Sequence, residues 1–103
     1  MSPADALDAD IQSFGRPDLN TVQGCHAHRS RVLLAIVTRL QLLAKFGARD
    51  ALALCTRITV HLYSLNALYV LTEVELDIAL ADLRRAYERD QPELVELLFG
   101  LED

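Results

Sequence analysis

Apolar residues recur along this chain at spacings of three and four, and no stretch alternates long enough to make a strand. Ala4, Leu7, Ile11 and Phe14 form one narrow stripe. Ser2, Pro3 and Asp5 supply a cap, a first-turn proline and an acid at the positive end of the helix dipole. Gly15 and Pro17 stop this short helix over 2–14, which is marginal alone and must dock. A second helix is predicted from Asp18–Thr21 to Phe46, with Gly24 a weak point near its start. Its seam is Leu33, Ile36, Leu40 and Leu43, widened by Val32, Val37, Leu42 and Phe46.

Gly47 ends that helix, and a third begins at once, with Ala51, Leu54, Cys55, Ile58, Leu62, Leu65 and Leu68 or Tyr69 as its seam. So short a connection predicts a long antiparallel hairpin over 20–71. Thr72-Glu73-Val74-Glu75 is a capping box that opens a fourth helix, whose buried face is Leu76, Ala79, Leu80, Leu83 and Tyr87. Asp90-Gln91-Pro92-Glu93 caps a last short helix, so the acidic C-terminal helices occupy 73–99. The reading is a single all-α domain over 1–103, a bundle of four to five helices around the hairpin.

Val32 to Val37 are apolar on more than one face of a helix, and 62–71 is nearly so. Such surface wants cover on all sides, which this short chain supplies poorly. A homodimer, or a standing groove for a partner helix, is therefore expected. The 103 residues include six aromatics and no Trp, with few Gly and Pro, which fits long helices over strands.

Charge sharpens the picture. The net −5 divides into four acids and one base over 1–20, six bases and one acid over 21–71, and three bases and ten acids over 72–103. A basic middle between acidic ends pairs with itself or offers surfaces of opposite sign to partners. Arg39 and Arg57 are expected to lie near each other and to pair with the acidic fourth helix. The acidic start is no signal peptide, and every apolar run is broken too early to span a bilayer. Together with two cysteines, too few for a disulfide scaffold, this makes a cytoplasmic protein without membrane contact the expectation.

The densest chemistry is Gly24-Cys25-His26-Ala27-His28-Arg29-Ser30-Arg31. Cys25, His26 and His28 are metal-ligand types, and Cys55 with His61 would complete a tetrahedral set. In a hairpin turning near residue 47, however, the cysteines are roughly 15 residues apart along the axis, about 22 Å. That is too far to share an ion or a disulfide, so no metal and no cofactor is expected. His28 followed by Arg31 places a cation to steady a phosphoryl group, but Val32 stands where a small residue would allow close approach. Gly-rich phosphate loops, H-E-x-x-H and nucleophile elbows are missing, so no catalytic residue and no enzyme is expected.

The function class that remains is a non-enzymatic regulator acting by protein–protein interaction, of the adaptor, antiactivator or inhibitor kind. Its partner would be a second copy or another protein, such as a transcription regulator. Arg29 and Arg31 would set orientation, while Leu34, Leu42, Tyr63 and Leu71, off the main seams, would make apolar contacts. A dimeric nucleic-acid-binding regulator using the basic hairpin is the alternative, disfavoured by dispersed bases and an acidic chain. A histidine phosphotransfer-like module around His28 comes third.

Overall fold

The computed structural model describes residues 1–100. Among them are five α-helices and no strand: α1 (Pro3–Ser13), α2 (Val22–Leu40), α3 (Ala48–Ala67), α4 (Glu73–Asp90) and α5 (Val95–Phe99). Short 3-10 turns at Leu43–Lys45 and Pro92–Leu94 precede α3 and α5. The all-helical expectation holds, and the local signals mostly act where the sequence places them. Ser2 caps α1 by accepting from the Asp5 N–H, and Thr72 and Glu75 make both halves of the capping box on α4.

Helix α3 is the axis of the core. Ala51, Leu54, Ile58 and Leu62 are sealed from solvent, and Cys55 and Leu65 nearly so. Each fully buried Leu or Ile contributes about 1.5–3 kcal/mol relative to an exposed one, so this seam is the main apolar reserve of the fold. Helix α1 packs on both α2 and α3, inserting Leu7, and α4 packs on α3. Tyr87 is fully buried and donates its hydroxyl to the Ala51 carbonyl at 2.5 Å, while Phe99 of α5 meets its ring edge-on at 6.1 Å. Burial pushes both the Tyr87 hydroxyl and the neighbouring Cys55 thiol up, the latter to about 11, so neither ionises near neutral pH.

Two boundaries differ from the sequence reading. The second helix stops at Leu40 instead of reaching Phe46, because the chain tightens into a 3-10 turn that drives Leu43 completely into the core. The third stops at Ala67, so Leu68 and Tyr69, expected to end its buried seam, are exposed instead. Tyr69 takes a left-handed conformation, φ 60°, and the Tyr69 and Val70 N–H groups donate back to the Asn66 and Leu65 carbonyls. This reversal turns Val70 and Leu71 inward.

Gly24 is a requirement of the fold, not a weakness. A Cβ there would lie 1.8 Å from the Asp18 carbonyl oxygen. The turn before α2 thus presses directly on the helix backbone, held by Thr21 accepting from the Gly24 N–H at 2.9 Å.

Three of the six central bases pair with acids of the same chain. Arg39 reaches Asp10 at 2.5 Å, and Arg57 and His61 converge on Asp8. The acidic partners of Arg39 and Arg57 therefore come from α1, not from the fourth helix. Among the described residues, Arg29 alone of the central bases crosses to α4, meeting Glu75 at 2.6 Å.

Candidate functional site

Helices α2 and α4 run in the same direction on one face and are tied together only near their ends. At the start, Arg29 pairs with Glu75. The Glu75 carboxyl is shifted below its ordinary value, chiefly by hydrogen bonding with Thr72, with the Arg29 charge assisting. At the far end the buried amide of Gln91 donates two bonds of 2.9 Å, to the carbonyls of Leu43 and Phe46. Between these ties the two helices leave a groove of about 400 Å³.

The groove is apolar. Leu33, Val37 and Leu40 of α2 form one wall and Ile78 and Ala79 of α4 the other, with Asp82 at the rim; Ile58 and Leu62 of α3 line the floor. Val37 and Ile78 stand at the lips, the latter 55% exposed. Of the seam expected for the second helix, Leu33, Ile36 and Leu40 thus line an opening, while Leu43 is sealed in the core. Val32, Ala35 and Ile36 are the buried residues of α2; Ala35 borders α1, while Ile36 lies under the groove wall.

The six interface residues read from the sequence do not converge. Arg29 sits at the mouth of the groove, shared with a shallower, more polar cleft lined by Thr21, Cys25, His26 and Tyr69. Arg31 is exposed beside Leu34, which is 67% exposed and borders a crevice against Phe14 of α1. Leu42 is exposed at the corner after α2. Tyr63 is 52% exposed and borders a different depression, lined by Leu80, Arg84 and Phe99. Leu71 is 2% exposed beneath the groove, because the left-handed turn at Tyr69 folds it inward; it is a core residue and no surface contact.

Sequence reasoning did not single out Ile78. Its signal was the pair Val74 and Ile78, apolar at i, i+4 and outside the expected buried face of α4; both are exposed. The histidine-rich segment spreads around the start of α2. Cys25 donates its thiol to the Leu19 carbonyl at 3.5 Å, and Arg29 donates to His26 Nδ1 at 2.5 Å. His28 is half-buried, and burial with the nearby Arg31 charge lowers its pKa. Among the described residues no three His, Cys, Asp or Glu side chains gather as metal ligands, and no helix is long and apolar enough to cross a membrane.

What the arrangement offers chemically is apolar burial with a charged gate. It defines a helical scaffold presenting an open groove between two pinned helices. Comparison with protein-family models, curated proteins and solved structures finds no match.

Proposed function

We propose that this chain is a small non-enzymatic regulatory protein that acts in the cytoplasm by protein–protein contact, of the adaptor, antiactivator or inhibitor kind. Its docking surface is the groove between α2 and α4. The observation that carries this reading is that the groove is apolar and open, with polar ties confined to its two ends. A cleft of this composition buries the apolar face of a protein partner, such as a helix of a transcription regulator, while Arg29, Glu75 and Asp82 fix its orientation.

The nucleic-acid alternative loses support, because Arg29, Arg39 and Arg57 each face a carboxylate of the same chain. A phosphotransfer role loses support as well, since His28 is half-buried and not fully presented to a partner's phosphoryl group.

The test is a photo-crosslinking amino acid placed at Val37 or Ile78 in cells, with Glu93, exposed on the 3-10 turn before α5, as the control position. Discrete protein adducts at the groove positions, absent at Glu93, are the expected result. Adducts no stronger from the groove than from Glu93 would overturn the reading.

A further inference from the structure

We propose that α1 is a built-in occupant of a docking strip on α2 and α3, and that this strip receives an acidic amphipathic helix of a partner protein when α1 lifts away. The strip lies on another face of α2 from the groove, so the inference stands apart from the reading of that groove.

The first observation is how α1 is held. Its 11 residues carry Asp5, Asp8 and Asp10 and no base, and a helix so short does not persist alone. Only Ala4 and Leu7 are buried, against six side chains of α3. The polar part of the attachment is ionic. Asp10 accepts from Arg39 at 2.5 Å, and Asp8 lies between Arg57 and His61. These five side chains are between 22% and 42% exposed, so water reaches every pair and each adds little. Residues 14–21, with Gly15 at φ 73° and Pro17, form a non-helical tether to α2. A short helix held by one large buried side chain and solvated ion pairs opens before the core does.

The second observation is that the strip offers more than α1 uses. Arg39 Nε is buried and has no hydrogen-bond partner among the described residues, because Asp10 meets Nη2 alone. A guanidinium binds a carboxylate best through a two-bond fork, which this aspartate does not supply. Beside that pair a crevice runs between α1 and α2, lined by Asp10, Phe14, Arg31 and Leu34. Arg31 is exposed without an ion-pair partner among the described residues, and Leu34 is 67% exposed. A partner helix with Glu at the place of Asp10, and with an acid and an apolar residue reaching Arg31 and Leu34, keeps the contacts of α1 and adds those it leaves open. The sign of that helix follows from Arg31, Arg39, Arg57 and His61, to which α2 adds no acid. While docked, the tethered α1 competes at high effective concentration and keeps the strip closed.

The test uses the intact chain and, as probe, a fluorescent peptide of residues 2–16 read by anisotropy. Asp8→Asn combined with Asp10→Asn loosens the tethered helix and vacates the strip. This double variant is expected to bind the probe about tenfold more tightly than wild type does. A probe carrying Asp10→Glu binds more tightly still, and one carrying both Asp→Asn changes does not bind. In hydrogen exchange the α1 amides of wild type exchange faster than those of α3, and the double variant speeds α1 alone by about tenfold. Equal probe affinity in wild type and double variant, or a Glu probe weaker than the Asp one, would overturn the proposal. So would α1 amides that exchange in step with α3, or a double variant without a cooperative melt, since either makes α1 an integral part of the core. Displacement of the probe by duplex DNA in preference to unlabelled peptide would overturn the assignment to a protein helix.

Discussion

Replacing Gln91 by Met isolates the tie at the far end of the groove. Methionine keeps the length and nearly the volume of glutamine but removes both donors. The Gln91 amide nitrogen serves two carbonyls, of which that of Leu43 is buried and that of Phe46 partly so. An unsatisfied buried polar group costs about 1–3 kcal/mol, and the partly exposed carbonyl recovers some of that from water. The expected loss is therefore about 2–3 kcal/mol, a large share of the roughly 5–15 kcal/mol that holds a domain of this size. In thermal melts it corresponds to a fall of roughly 10–20 °C. Urea denaturation followed by circular dichroism reads it directly: the midpoint falls and the slope does not, since the surface exposed on unfolding is unchanged. Gln91→Glu at neutral pH is the harsher variant, because it points oxygen at oxygen. A Met variant within about 0.5 kcal/mol of wild type would refute the assignment of this amide as the tie between α4 and the corner after α2.

Other consequences are equally open to measurement. Tyr69 holds φ 60° with its side chain 92% exposed, so Tyr69→Gly relieves left-handed strain without emptying a packed site. It should stabilise the fold by about 1 kcal/mol, and a lower melting temperature would contradict the strain argument. Gly24→Ala forces a methyl group against the Asp18 carbonyl and should cost about 2 kcal/mol or more, measured by the same melts; a neutral outcome would show that the turn yields freely. His61 lies 2.7 Å from Asp8, yet burial first, and the Arg57 charge second, lower its pKa. In the unfolded chain it therefore binds a proton more readily than in the fold. Its contribution to stability is complete above the unfolded pKa of about 6.5 and is lost as pH falls through the lower folded value. Urea midpoints at pH 7 and pH 5 should differ less in His61→Gln than in wild type, and an unchanged difference would remove His61 from the account.

What the sequence discloses follows the range of the forces involved. Caps and seams are local, and they read correctly. Ser2, Thr72 and Glu75 cap as their spacing requires, and Ala51, Leu54, Cys55, Ile58, Leu62 and Leu65 are buried as their period requires. The misreadings arise where a tertiary contact decides. Leu43 breaks the second helix because the core takes its side chain, and the carbonyls released at that corner are met by Gln91, 45 or more residues away. Tyr69 ends the third helix in a conformation its residue type disfavours, so no glycine marks the turn, and Leu71 is misplaced with it. Gly24 reads as helix weakness until the Asp18 carbonyl is seen pressing on it.

The groove belongs to the same category, and its origin is electrostatic as much as apolar. Helix α2 has two acidic neighbours to choose from. Asp10 of α1 takes Arg39, and Glu75 of α4 takes only Arg29. Leu7, sealed from solvent, anchors α1 among α2 and α3, while Val32, Ala35 and Ile36 of α2 are spent in the core. The seam Leu33, Leu40 and the lip Val37 are then left facing α4 across a gap that its ties at either end do not close. A helix with apolar residues on more than one side must expose one of them once another is covered. The position of α1 thus determines which side of α2 is buried, and it is the side left over that forms the docking wall.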